Sequence, residues 1–158
     1  MPERTAYVDA LQMLGRRELS EKQLRDRLLH REHSPENVDR AIQLLRENRA
    51  LDDERVAAAY VRTAIKIKGR GRLRIQRELR EMGIAGDVAA KALADAFGDT
   101  DERALITRAL QKKLRGRPKI ADAGEYARVY QFLMRQGFSP AAVTAALKAH
   151  RRGTDTDY

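Results

Sequence analysis

The chain of 158 residues has no cysteine and no tryptophan, only 4 prolines, and an aromatic content of 5%. Without cysteine there is no disulfide, no thiolate metal ligand and no cysteine nucleophile, a pattern that agrees with a reducing compartment. The near absence of aromatics leaves the 42% of apolar residues to be carried mostly by Ala and Leu. With abundant Arg, Glu, Gln and Lys, that composition favours helix over sheet. No run approaches the ~18–20 apolar residues of a membrane span, and the opening "MPERTAYVDA" lacks the apolar core of a secretory signal. The chain therefore reads as soluble and cytoplasmic, with no membrane partner. Acidic residues are the last shortage: 23 Asp and Glu against 32 Lys and Arg give a formal charge of +9. Such an excess predicts an anionic partner, nucleic acid or an acidic protein surface, and says nothing about fold.

What is present is a pattern that occurs three times. "LRDRLLHREHSPENV" from Leu24, "IQRELREMGIAGDV" from Ile75 and "VYQFLMRQGFSPAAV" from Val129 align so that Leu28, Leu79 and Leu133 correspond, at intervals of 51 (79 − 28) and 54 (133 − 79) residues. After each comes a break holding His33, Ile84 or Phe138, then a new helix start. Ser20-Glu21-Lys22-Gln23 has the form of a capping box, and Ser34-Pro35 and Ser139-Pro140 are N-caps followed by proline at the first helical position. Asp52-Asp53 and Thr100-Asp101-Glu102 supply acidic starts. Gly15, Gly83 and Gly137 are placed to end helices in the left-handed conformation. These signals predict an all-α chain of three tandem three-helix repeats, residues 1–50, 51–98 and 99–151, followed by a flexible tail at 152–158. Such modules bury too little surface alone and stack on their neighbours, so an elongated, curved array of about nine helices is expected. "RGRPKI", residues 115–120, reads as a longer connection.

Few residues suggest chemistry. Gly69-Arg70-Gly71 begins like a dinucleotide fingerprint, but Arg74 stands at the third glycine position and no strand precedes it. No G-x-x-x-x-G-K-[ST] sequence occurs. His30 and His33 straddle a helix end without a third ligand, and His33 replaces the apolar Ile84 and Phe138, which predicts a partly buried packing role. His150 stands alone near the C-terminus. Asp52, Asp53 and Glu54 are explained by helix capping. No nucleophile, base and orienter assemble, so neither catalysis nor a cofactor or metal is expected.

The basic runs are denser. Lys66, Lys68, Arg70, Arg72, Arg74, Arg77 and Arg80 are interrupted by one acid, Glu78. Helical spacing puts Ile75, Leu79 and Met82 on one stripe, with Arg74, Arg77 and Arg80 opposite. Arg108, Lys112, Lys113, Arg115, Arg117 and Lys119 form a second cluster without an acid from Ala104 to Ala121. Arg108, Lys112 and Arg115 share a face by their i, i+4, i+7 spacing. Single-strand binders stack bases on aromatics, and none lies between Lys66 and Arg80, so DNA is expected as an auxiliary partner held by its phosphates.

"LDDERVAAAYV" (Leu51–Val61), "GRLRIQRELREMGI" (Gly71–Ile84) and "QFLMRQGFS" (Gln131–Ser139), with "ALQMLGRRELSEKQLRDRL" from Ala10, resemble the characteristic segments of the RecX family in order and spacing from Ala10 to Leu147. Val56 stands where the family usually has Phe, and His33 where an apolar residue is common. The resemblance implies three three-helix repeats and a non-enzymatic role, and the chain is expected to be a monomer. It also implies binding to RecA filaments on single-stranded DNA, restraining ATP hydrolysis, strand exchange and coprotease activity in recombination, repair and the SOS response. The family supplies no active-site motif, so the contacts are assigned by charge to Lys66, Lys68, Arg70, Arg72, Arg74, Arg77, Arg80, Arg108, Lys112, Lys113, Arg115 and Arg117. Two alternatives stay open: a helix-turn-helix-like DNA-binding regulator acting without RecA, with Gln76 as the obvious base reader, and a helical scaffold for an unrelated acidic protein.

Overall fold

The computed structural model describes residues 5–98 and 101–155. These residues form nine helices and no strand: α1 (Ala6–Arg16), α2 (Glu21–His30), α3 (Pro35–Glu47), α4 (Asp53–Lys66), α5 (Arg72–Glu81), α6 (Gly86–Phe97), α7 (Glu102–Lys113), α8 (Ala123–Gln136) and α9 (Pro140–Asp155). The chain is an all-α repeat. Within the first three helices α1, α2 and α3 pack on one another, and α7, α8 and α9 do the same.

Local chemistry sets the starts. Ser20 accepts from the Gln23 N–H at 3.1 Å while the Gln23 side chain accepts from the Ser20 N–H at 3.0 Å, so both arms of the capping box form. Ser34 and Ser139 cap α3 and α9 ahead of their prolines. Asp52 accepts from the N–H groups of Glu54 and Arg55, Asp101 from that of Arg103, and Asp122 from that of Glu125. Thr100 lies outside the described residues. Asp53 reaches across to accept from the Glu21 N–H at 2.9 Å, and burial raises its carboxyl above the usual range.

The ends follow one rule in all three repeats. The N–H of His33 bonds to the carbonyl of Leu28, that of Ile84 to Leu79, and that of Phe138 to Leu133. The residue before each donor is left-handed: Glu32 with φ 66, Gly83 with φ 80 and Gly137 with φ 99. Leu28, Leu79 and Leu133, the three aligned leucines, are each fully buried. Gly15 departs from expectation: it lies inside α1, which leaves through an extended Arg17 whose N–H bonds to Met13, so no left-handed residue is needed there. Helix α9 continues to Asp155, covering the first positions expected as tail, and residues 156–158 lie outside the described residues.

The chain divides into two compact units. The first is drawn from Met1–Tyr60 and Glu78–Ala92, the second from Val61–Arg77 and Leu93–Tyr158. In the first unit Leu19, Leu24, Leu28, Ile42 and Leu45 form the centre of the core. His33 at its margin does not simply pack: its Nε2 meets the buried Asp9 carboxylate at 2.6 Å, because an imidazole placed where its relatives carry apolar side chains must find a polar partner. In the second unit Ile75, Ile106, Leu133, Phe138 and Leu147 are fully buried. Among the described residues no helix is long and apolar enough to cross a membrane.

Candidate anion-binding site

The second unit holds both basic clusters except for Arg80, which belongs to the first. What brings the clusters together is a joint at the start of α5. The Gly71 N–H donates to the Gln136 carbonyl at 2.6 Å and the Leu73 N–H to the Gly137 carbonyl at 3.0 Å. Free N–H groups at one helix start thereby satisfy free carbonyls at another helix end. The approach is so close that a Cβ on Gly71 would lie 2.5 Å from the Gly137 carbonyl carbon. Gly71 thus serves packing, not a phosphate loop.

The preceding segment is tied as well. The N–H groups of Ile67 and Lys68 bond to the Thr63 carbonyl and that of Arg70 to Ala64. The consequence is a cavity of about 130 Å³ lined by Lys66, Lys68, Arg108 and Lys112, with Phe132, Gln136 and apolar residues of α4 and α7 completing the wall. Cations from positions 40 or more residues apart in sequence share it, and no acid lines it. Ile67, 73% exposed, stands on its rim. Phe132 supplies the aromatic surface that the stretch from Lys66 to Arg80 lacks. Lys113 does not line the cavity; its ammonium sits 4.8 Å from the centre of the Phe132 ring.

The remaining cations sort by their partners. Among the described residues Lys66, Arg77, Arg80, Arg108, Lys112 and Arg115 are exposed and form no ion pair. Arg74 is a correction to the outward row: it is half-buried, and its Nη1 donates to the Arg135 carbonyl and the Gln136 side chain, both at 3.3 Å. The reason is the joint itself, since α5 starts against Gly137 and Arg74 is carried into it. Because a guanidinium only donates, that bond fixes the Gln136 amide oxygen toward Arg74 and leaves its N–H groups for another acceptor. Arg72 lies 5.8 Å from the centre of the Phe97 ring. Arg115 is a second correction. Helix α7 ends at Lys113 and Arg115 is left-handed with φ 53, so it does not extend the face shared by Arg108 and Lys112.

Arg117 is a third case, paired with Glu125 at 2.8 Å. The side-chain bond to Arg117 holds the Glu125 carboxyl below the usual range, and Glu125 in turn raises Arg117. Phe132 and Gln136 were absent from the charge-based set. The sequence carries no local mark for them, because their part depends on where α8 ends relative to Gly71.

Comparison with known proteins covers most of the chain. Residues 6–45, 52–93 and 100–147 match the family descriptions "RecX, first three-helix domain", "RecX, second three-helix domain" and "RecX, third three-helix domain". A regulatory protein RecX from Halorhodospira halophila is 37% identical over 89% of this chain and 84% of that protein. One from Geobacillus kaustophilus is 35% identical over 96% of this chain, which spans 55% of its length. The crystal structure of RecX from Lactobacillus salivarius superposes with a TM-score of 0.77 at 20% identity, covering 92% of this chain and 94% of the other. A second crystal structure of a regulatory protein RecX gives 0.76 at 26% identity, covering 90% and 70%.

Proposed function

The chain belongs to the RecX family of regulatory proteins, and we propose that it acts as a monomer on RecA filaments assembled on single-stranded DNA, mainly inhibiting their ATP hydrolysis, strand exchange and coprotease activity. The observation that carries this reading is the convergence of Lys66, Lys68, Arg108 and Lys112 on one cavity with an aromatic wall and no acid. A cationic concavity of this kind suits an acidic protein segment or a phosphate backbone, which are the two surfaces a nucleoprotein filament offers together. Inhibition then needs only a bound module that obstructs subunit movement or the entry of duplex DNA. No bond is made or broken by the protein.

The reading as a sequence-specific helix-turn-helix regulator is the weaker one. Bases are read by side chains, and the exposed face of α5 carries Arg72, Arg77 and Arg80 with Gln76 as its one amide. RecA's ATPase on single-stranded DNA, with the protein present well below one copy per RecA subunit, tests the proposal. Inhibition of turnover and strand exchange is expected. Unchanged hydrolysis, strand exchange and filament length, together with tight, sequence-selective duplex binding in the absence of RecA, would reverse the choice between the two readings.

A further inference from the structure

The first unit carries a second concavity outside the charge-based set. The ends of α1 and α2 border an open hollow of about 520 Å³, lined by Met13, Arg16, Arg17, Arg27, Arg31 and His30, with Asp26 as its one acid. That size lies in the range of ligand pockets. Counting His30 as neutral, four arginines against one aspartate leave the wall at +3 (4 − 1).

Some of this unit's other arginines are neutralised: Arg25 is paired with Asp39 and Glu21, Arg46 with Glu21, and Arg55 with Glu18. Arg40, Arg49 and Arg80 are exposed and form no ion pair among the described residues, but none of them lines the hollow. Of the four around the concavity only Arg31 approaches a carboxylate, Asp9 at 3.6 Å. Among the described residues Arg16, Arg17 and Arg27 have no ion-pair partner. Asp26 lines the same wall and pairs with none of them. Glu18, the neighbour of Arg17 in sequence, is turned to Arg55. Cations at helix ends are favoured by the helix dipole, which accounts for Arg16 and Arg27 singly. It does not account for two helix ends delivering unpaired guanidinium groups to one hollow.

We infer that this hollow is a second anion site, which holds the phosphates of single-stranded nucleic acid. Guanidinium forks match phosphate oxygens two at a time, and the volume exceeds what one phosphate fills. Met13 offers an apolar floor for sugar or base. Asp26 accepts from an exocyclic amine of a base, a donor that acidic side chains lack. The site stands apart from the filament reading, and its test uses the oligonucleotide without RecA.

The experiment measures binding of a short single-stranded oligonucleotide to the full chain across a salt series. Arg17→Gln with Arg27→Gln is compared with Arg40→Gln and Lys91→Gln, two exposed cations of the same unit away from the hollow. Loss of two phosphate contacts makes the log–log salt slope shallower by about 1.4. The control pair, with equal charge loss, leaves the slope in place. Arg17→Lys with Arg27→Lys keeps the slope and weakens binding several-fold, because the charge stays and the fork is lost. Equal changes in both pairs, or none in either, would overturn the site. A poly-glutamate peptide that binds as tightly as the oligonucleotide and loses as much in the Arg17/Arg27 variant would overturn the phosphate assignment. Thermal melting of each variant, unchanged for exposed side chains, separates binding loss from unfolding.

Discussion

Each compact unit contains a joint between a helix start and a left-handed helix end, and the two are built differently. In the first unit the Ser20 hydroxyl donates to the Met82 carbonyl at 2.5 Å, and Lys22 lies over Gly83 so closely that a Cβ there would meet the Lys22 Cβ at 2.4 Å. In the second unit Gly71 stands where Ser20 stands, and its backbone N–H replaces the hydroxyl in bonding to Gln136, the counterpart of Met82. Gly137 there faces not only a side chain but the backbone N and Cα of Arg74, at 2.5 and 2.9 Å from its would-be Cβ. One repeated geometry can thus be met by a side chain or by bare backbone. The bare-backbone version sets Gly71 directly against Gly137, in the unit that holds the two basic clusters.

The third left-handed end marks the contrast. Glu32 adopts φ 66 without being glycine. Among the described residues no backbone hydrogen bond from another helix start reaches Arg31 or Glu32, so a Cβ is tolerated where nothing docks. Glycine at 83 and 137 therefore serves two demands, left-handed φ and close approach, while position 32 faces only the first.

That comparison orders the effects of substitution. Gly137→Ala should cost most, about 3 kcal/mol, since strain at φ 99 adds to a backbone clash. Gly83→Ala should cost about 2 kcal/mol, because the atoms it meets belong to one side chain. Urea unfolding of the two variants measures the gap, and equal costs would remove the distinction between the joints. Ser20→Ala loses a helix cap and a buried bond to the Met82 carbonyl, about 1–2 kcal/mol, with a loss near zero counting against the hydroxyl's part. Glu32→Gly should stabilise by about 0.5 kcal/mol, the relief of left-handed strain outweighing the glycine's entropy in the unfolded chain. Destabilisation at position 32 would show that its side chain does more than tolerate the turn.

Much of this fold is readable from local signals. The capping box at Ser20, the Ser-Pro starts of α3 and α9, and the register of Leu28, Leu79 and Leu133 depend on neighbours a few residues apart, and all appear as expected. The departures lie where distant segments decide. Gly15 has the residue type of a helix end, but the chain exits through an extended Arg17. Arg74 follows the spacing of an outward row until α8 ends against it. The basic residues were visible as two separate runs, whereas their meeting at Phe132 and Gln136 requires the Gly71–Gly137 contact that no local pattern announces.

The central claim is that the cavity of the second unit carries the contact with the filament. The most direct measurement is inhibition of RecA's single-stranded-DNA-dependent ATPase by the Lys66→Glu, Arg108→Glu, Lys112→Glu variant, beside the unaltered protein. All three side chains are exposed, so melting should be retained. The account predicts that at least about tenfold more variant is needed for equal inhibition, as a loss of ~1.4 kcal/mol or more in binding implies. A folded variant that inhibits at the same concentration as the unaltered protein would contradict it.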